Sequence, residues 1–145
     1  MAHADSINAL GGFGPKAVPL LAEDLASDDF YIVQRAAEQL GDIGGKEAAE
    51  VLLAAVRYTP NDLRVIFINN LAGLKYAPAF DALCGFLEHG TDKERVASAM
   101  ALGKMGDPRA IGPLRKAGAE GDELLKGVAD EAISSIEAVS QAKNL

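Results

Sequence analysis

The sequence predicts an all-α fold: an α-solenoid, or superhelix, of about five antiparallel helix-pair repeats of about 31 residues, with incomplete repeats at both ends. Three observations predict it. Apolar and small residues recur at an almost constant spacing, apolar residues within each repeat follow helical periodicity, and Gly, Asp and Pro mark corners between helices. A lone helix pair cannot bury its own apolar face, so we expect successive pairs to stack.

The recurring positions define the repeat. Five apolar anchors fall in register at spacings of 30, 31, 31 and 31 residues: Leu10, Leu40, Leu71, Leu102 and Ile133. An apolar residue follows each anchor three positions later, beginning with Phe13. The residue directly after each anchor is small: Gly11, Gly41, Ala72, Gly103 and Ser134. This small column predicts that a neighbouring backbone comes close there. A cation stands seven residues before the later anchors: Arg64, Arg95 and Lys126.

The first helix of each repeat is predicted from apolar spacings of three and four. In the second repeat the residues predicted to share one face are Ile32, Arg35, Ala36, Leu40 and Ile43. The corresponding face in the third repeat contains Leu63, Ile66, Phe67, Leu71 and Leu74, and in the fifth Leu125, Val128, Ala129, Ile133 and Ile136. Polar residues that can cap free backbone N–H groups precede these helices: Asp28 or Asp29, Asn61 or Asp62, Thr91 or Asp92, and Asp122.

The stretch LGKMGDPRAIGPL, residues 102–114, predicts a tight corner between two antiparallel helices. Gly106 stands where a left-handed residue can satisfy the last carbonyls of a helix, and Gly14 and Gly44 occupy the same column. Asp107 is placed to cap the next helical segment, and Pro108 suits a first helical turn. Pro19 and Pro113 predict loose first turns, with the regular second helix starting near each proline.

Composition narrows the function classes. A chain of 145 residues suits one domain, and we take residues 1–145 as a single repeat domain. The net charge of −7 argues against nucleic-acid binding, which needs clustered Lys and Arg. No apolar run approaches the roughly 18 residues of a membrane span, and MAHADSINAL lacks the basic start and apolar core of a signal peptide. With one cysteine, Cys84, a cytoplasmic setting is expected.

The residues of repeats two and four carry a family resemblance. VQRAAEQLGDIGGKEAAEVLLAAV (33–56) and RVASAMALGKMGDPRAIGPLRKAG (95–118) resemble HEAT-like repeats of the phycobilisome-lyase type, in which an AA..LG.IGD.RA..PL pattern joins the two helices. The third repeat departs from the pattern with Lys75 at the corner glycine, and the fourth places Glu94 in an otherwise apolar column. The resemblance implies an α-solenoid whose curved surface, lined by second helices, holds another protein. It does not imply lyase activity.

Catalytic signals are sparse. The two histidines, His3 and His89, lie far apart in the sequence, and His89 is expected in a solvated turn. Some HEAT-like proteins are di-iron hydroxylases with repeated His-Glu pairs, whereas this sequence has no His-Glu dipeptide. Cys84 is expected to be a small buried apolar residue rather than a nucleophile. We therefore expect no enzyme activity, no metal and no cofactor.

The candidate binding residues lie mostly on the second helices. Glu47, Glu50 and Asp81 are expected to point away from the core, with Glu50 and Asp81 in one column, as an acidic strip. Positive charge is expected to extend the strip at Arg109, Arg115 and Lys116. A partner of complementary charge and simple solvation are the two interpretations of these charges. Asn69 and Asn70, in the middle of a helix, either contact a ligand peptide, bridge adjacent repeats or face solvent.

These patterns favour two main functions. The first is a non-catalytic scaffold or adaptor that binds another, unidentified protein, as a monomer or weak homodimer without nucleic acid or membrane. The alternative is a bilin (phycobilisome) lyase, or a lyase subunit or chaperone, although aromatic residues make up 6% of the chain and a nucleophile is missing. A nucleic-acid-binding repeat module is a third possibility, opposed by the net charge of −7.

Overall fold

All regular structure in the described residues, 14–59 and 61–143, is helical in the computed structural model, which confirms the all-α prediction. The helices of these ranges are α1 (Val18–Asp24), α2 (Phe30–Ile43), α3 (Gly45–Tyr58), α4 (Asn61–Ala72), α5 (Ala79–His89), α6 (Asp92–Met105), α7 (Ile111–Glu120) and α8 (Glu123–Lys143). The even-numbered helices are the first helices of repeats two to five, and the odd-numbered helices are the second helices of repeats one to four.

The chain divides into two compact units, residues 1–70 and residues 71–145, called here the N-terminal and C-terminal units. In the N-terminal unit, α1, α2 and α3 contact one another. In the C-terminal unit, α5 contacts α6 and α7, and α8 packs on both α6 and α7. The single domain expected over residues 1–145 stays a prediction. The predicted positions His3, Leu10, Gly11 and Phe13, and the side chains of Asn61 and Asp62, lie outside the described residues.

The apolar anchors of the repeat lie in the core as predicted. Leu40, Leu71 and Leu102 are buried almost completely, and Ile133 is buried as well. Each contributes about 1.5–3 kcal/mol through removal of apolar surface from water. The regular spacing of the sequence is therefore the spacing of core positions.

The buried face of α2 differs from the prediction. Ile32 is 41% exposed and Arg35 is exposed, whereas the buried residues are Val33, Ala36, Ala37 and Leu40. Adjacent residues on a helix point about 100° apart, so the face turns by one position toward the side where α1 and α3 contact α2. The prediction placed Ile32 in the core because it stands at helical spacings of three and four from other residues of the predicted face.

The corner between α6 and α7 has the predicted construction. Gly106 ends α6 in the left-handed conformation at φ 73°, and its N–H donates to the carbonyl of Leu102 at 3.2 Å. Asp107 Oδ1 accepts from the Arg109 N–H at 2.9 Å, and a 3-10 turn, Pro108–Ala110, precedes α7. A similar turn, Pro15–Ala17, precedes α1, which confirms the loose first turns. Gly14, however, has an extended backbone rather than a left-handed one.

The corner of the third repeat is reshaped around Lys75, as the missing glycine suggested. Helix α4 ends at Ala72, and the Leu74 N–H donates to the Leu71 carbonyl in the turn after it. Lys75 then takes φ 51°, the left-handed conformation that glycine supplies at Gly106. A left-handed residue with a Cβ costs about 1–2 kcal/mol, so this corner is strained relative to its counterpart.

Capping residues start the helices largely where the sequence placed them. Asp29 Oδ1 accepts from the Tyr31 N–H, and Asp122 Oδ1 accepts from the Leu125 N–H, both at 2.9 Å. At α6 the cap is reciprocal, because Thr91 Oγ1 accepts from the Glu94 N–H while Glu94 Oε1 accepts from the Thr91 N–H. Glu94 is 1% exposed, so this carboxylate occupies an apolar column as a capping group.

The column of cations has a structural role. Arg95 Nε donates to the carbonyl of Leu87 near the end of α5 at 2.9 Å, and Arg64 Nε donates to the carbonyl of Thr59 just after α3 at 3.0 Å. The last carbonyls of a helix have no donor within the helix, so a guanidinium beside them satisfies a group that packing would otherwise leave unbonded. Each arginine thereby ties the end of a second helix to the start of the next first helix.

The small column marks close helix contacts. A Cβ added at Gly103 on α6 would stand 2.9 Å from the Ala132 Cβ and 3.0 Å from the Ala132 Cα on α8. At Gly41 on α2 the added Cβ would stand 3.1 Å from Asn70 Oδ1. Ala72 is buried, whereas Ser134 is exposed. Gly103 thus confirms the predicted close approach of a backbone, whereas at Gly41 the nearest atom is the side-chain oxygen of Asn70.

Alanine substitution tests the contact at Gly103. Gly103→Ala should destabilise the protein by about 1–3 kcal/mol, because the Ala132 backbone must move. Gly127→Ala is the matched control, since nothing lies within 4 Å of a Cβ added in that part of α8, and it should stabilise by about 0.5–1 kcal/mol. Urea unfolding measures both changes. Shifts of the same sign and size would contradict the contact.

The cation column is tested at Arg95. Arg95→Leu keeps an apolar stem but removes the donor to the Leu87 carbonyl, so the free energy of unfolding should fall by about 1.5–3 kcal/mol. Lys126→Leu changes an exposed residue of the same column and should stay within about 0.5 kcal/mol of wild type. Thermal unfolding followed by circular dichroism compares the two. Equal midpoints for both variants would rule out the carbonyl-binding role.

Candidate protein-binding surface

The described residues of the N-terminal unit form an apolar groove of about 630 Å³. Its walls come from the C-terminal half of α1 and the segment after it, from one face of α3, and from the start of α4. Most of the lining residues are small or aliphatic: Ala22, Leu25, Ala26, Val51, Ala54, Ala55 and Leu63. The polar lining residues are Ser27, Asp28 and Thr59, and Tyr58 completes the groove, which we call the α1–α3 groove.

Aromatic residues stand exposed in the same unit. Tyr58, the last residue of α3, lines the groove with 87% of its surface exposed. Phe30 and Tyr31, at the start of α2, are exposed and meet edge to face with ring centroids 6.4 Å apart. Tyrosine and other aromatic residues are enriched at the centres of protein interfaces. The repeat pattern did not predict a role for these residues. Their positions at helix ends, outside the repeat columns, could have indicated that they are exposed.

The predicted acidic residues of the N-terminal unit border the groove. Glu47 and Glu50 are exposed on α3, four residues before Val51 and Ala54 respectively, so they continue the face that lines the groove. Lys46 Nζ lies 3.8 Å from Glu50 Oε1, a pair with both side chains at least half exposed and therefore weak. Along α3, the predicted acids Glu47 and Glu50 are therefore followed by the apolar groove residues, which the sequence analysis did not predict.

The two asparagines have different environments. Asn69 is exposed. Asn70 is half-buried, its Nδ2 donates to the Ile66 carbonyl one turn earlier at 2.8 Å, and its side chain lies against Gly41 on α2. Asn70 is therefore engaged in packing between the second and third repeats.

Arg109 in the C-terminal unit binds its neighbour Asp107. Its Nη2 lies 2.7 Å from Asp107 Oδ2, and its Nε lies 3.0 Å from Oδ2 and 3.2 Å from Oδ1. The guanidinium carbon also stands 4.4 Å from the centre of the Phe80 ring on α5, a cation–π distance. Asp81, the residue after Phe80, is exposed in the first turn of α5.

This ion pair shifts both ionisation equilibria. The side-chain hydrogen bonds from Arg109, followed by its backbone N–H, hold the pKa of Asp107 below its ordinary value of 3.8. The hydrogen bond to Asp107 and the charge of that carboxylate in turn raise the pKa of Arg109. Asp107 is therefore fully charged at neutral pH, and much of the positive charge predicted at Arg109 is balanced locally.

Two other predicted residues of this unit, Lys116 and Cys84, line a small cavity of about 80 Å³. Lys116 on α7 lines it and places its Nζ 3.5 Å from Glu88 Oε1 on α5, while Arg115 is exposed. Cys84 also lines the cavity and is half-buried, less buried than predicted. Burial, and then the charge of Asp81, raise the pKa of the Cys84 thiol. His89 ends α5 with its side chain largely exposed.

The structure divides the predicted binding residues between the two units. Glu47, Glu50, Asn69 and Asn70 belong to the N-terminal unit, and Asp81, Arg109, Arg115 and Lys116 to the C-terminal unit. The acidic strip through Glu50 and Asp81 stays a prediction. Among the described side chains, no three or more His, Cys, Asp or Glu residues come together as metal ligands. None of the described helices combines the length and apolarity of a membrane span.

The architecture defines the class first: a helical repeat protein of the α-solenoid type. Comparison with protein families then identifies the repeats. The model described as HEAT repeats matches residues 3–72, and the model described as PBS lyase HEAT-like repeat matches residues 94–117. The chain is therefore a HEAT-like repeat protein, as the resemblance in repeats two and four indicated.

A solved structure shows the same fold. Human deoxyhypusine hydroxylase, in a complex with glycerol, is similar to 83% of this chain with a TM-score of 0.73 and 23% sequence identity. The similarity covers 43% of the hydroxylase chain, so this chain corresponds to less than half of that protein. No curated protein sequence matches.

The Asp107–Arg109 pair gives a pH-dependent stability. Asp107→Asn keeps an acceptor for the Arg109 N–H but removes the charge, so wild type should be the more stable at about pH 7. Because the folded pKa of Asp107 is lowered, its stabilisation is present above the ordinary value of 3.8 and is lost as the pH falls through the folded pKa. Thermal midpoints of both proteins at about pH 7 and about pH 2 measure the difference. A gap that stays constant across this range would contradict the ion pair.

Proposed function

We propose that the chain is a non-catalytic scaffold or adaptor that binds another protein through the α1–α3 groove. The observation that carries the proposal is the groove itself. It has a volume of about 630 Å³ and a mostly apolar lining, and Tyr58 is an exposed member of that lining. Protein-binding sites combine an apolar centre with an aromatic anchor and a polar rim, and this groove has all three.

The sequence and the side-chain chemistry also favour binding over catalysis. The chain has two histidines and no His-Glu dipeptide. The Cys84 thiol has a raised pKa, so little of it is thiolate at neutral pH, which makes it a poor nucleophile. We further propose a cytoplasmic location, a monomer or weak homodimer as the working form, and no bound cofactor. No specific feature of the described residues favours the bilin-lyase alternative.

Site-directed crosslinking tests the proposal. A photo-crosslinking phenylalanine derivative at position 58 should capture a partner in cells that make the protein, whereas the same group at position 124 should not. Leu124 is the matched control, since it is a large apolar residue, 63% exposed, in the C-terminal unit. Mass spectrometry identifies the captured protein, which is then purified for a direct binding measurement.

The purified partner decides the outcome. Tyr58→Ser should weaken its binding by about 30-fold, the loss typical of an interface anchor, while Leu124→Ser should leave it unchanged. Both residues are exposed, so neither change should alter the thermal midpoint. A partner that crosslinks equally from both positions, or that binds the Tyr58→Ser protein as well as wild type, would refute the groove as the binding site.

A further inference from the structure

We infer that the occupant of the α1–α3 groove is an amphipathic helix of the partner, with an apolar stripe that enters the groove and Lys or Arg residues beside the stripe. This inference rests on the proposed function and adds to it the chemistry of the partner. Three features of the N-terminal unit support this inference: the shape of the α3 wall of the groove, the apolar lining of the groove and the charge along its borders.

The α3 wall of the groove suits a helix. Val51, Ala54, Ala55 and Tyr58 succeed one another at helical spacings of three, one and three, which makes a straight ridge about 10 Å long along α3. Small residues let helix axes approach to the 8–10 Å of direct helix packing, and alanines from both α1 and α3 line the groove. Strand addition, another mode of peptide recognition, needs a strand edge, and the described residues contain no strand.

The charge around the groove is acidic. Asp28 lines it, Glu23 lies between the lining residues Ala22 and Leu25, and Glu47 continues the α3 face. Glu50 adds a carboxylate that pairs weakly with Lys46.

Basic residues are fewer than acidic residues in the N-terminal unit. Arg57 is exposed beside Tyr58, and Arg64 donates its Nε to the Thr59 carbonyl. Residues 1–70 together hold ten acids against five bases. A partner with basic flanks is therefore attracted, and one with acidic flanks is repelled.

Synthetic peptides of about 18 residues test the inference against the full chain. One peptide carries a Leu and Ala stripe with Lys residues beside it, the second has the same stripe with Glu in place of Lys, and the third has the composition of the first in an order without a stripe. Fluorescence anisotropy should show the first peptide binding at least tenfold tighter than the other two, with an affinity that falls as salt is raised.

Two sets of variants locate the binding. Tyr58→Ser should weaken the Lys peptide about tenfold or more, which places it in the groove. Asp28→Lys combined with Glu47→Lys should transfer the preference to the Glu peptide. Asp130→Lys combined with Glu137→Lys on α8 is the matched control, because both residues are exposed and the net charge changes equally, and it should leave the Lys peptide preferred.

The outcomes separate this inference from the proposed function. Equal binding of the Lys and Glu peptides would overturn the basic occupant, while a partner captured from position 58 would still uphold the scaffold. Binding of the scrambled peptide as tightly as the first, or unchanged binding to Tyr58→Ser, would overturn the amphipathic helix in the groove. Dimers in sedimentation that Tyr58→Ser dissociates would show that a second copy of the chain occupies the groove, and would overturn the inference too.

Discussion

The close approach of helices through small residues is the constraint on which the rest of the structure depends. Gly103 on α6 leaves no room for a side chain against Ala132 on α8, and Gly41 on α2 lies against the side chain of Asn70, whose Oδ1 would stand 3.1 Å from an added Cβ. Such contacts bring the faces of successive first helices together closely enough to bury the anchors Leu40 and Leu102. The spacing of about 31 residues recurs because each repeat places its anchor and its small residue at the same position of its first helix.

The same use of small residues produces the candidate binding surface. Alanines that face the core, such as Ala36 and Ala48, let α2 and α3 pack tightly. Alanines on the outward side, Ala22 on α1 and Ala54 on α3, leave a groove because they fill little space where the helices diverge. Ala54 is exposed and Ala22 is half-buried, so neither alanine fills the core.

The repeat columns and corners were predictable from the sequence because they depend on local chemistry. Gly106, Asp107 and Pro108 specify their turn through conformations and hydrogen bonds that span a few residues. The face of α2 and the α1–α3 groove were not predictable, since both depend on how separate helices lie against one another. The burial of Glu94 falls between these cases. Thr91 and Glu94 have the spacing of a capping box, but the sequence analysis considered Glu94 only as an exception in an apolar column and did not predict the cap.

Electrostatics favours the N-terminal unit as the place where selectivity arises. Of the candidate cations in the C-terminal unit, Arg109 pairs with Asp107 and Lys116 with Glu88, and residues 71–145 hold eleven acids against nine bases. Residues 1–70 hold ten acids and five bases, and Asp28 lines the apolar groove of this unit. Apolar contact supplies affinity to many partners alike, whereas a charged border speeds association of one kind and rejects the opposite kind. On the proposed function, a groove of alanines takes its specificity from the carboxylates beside it.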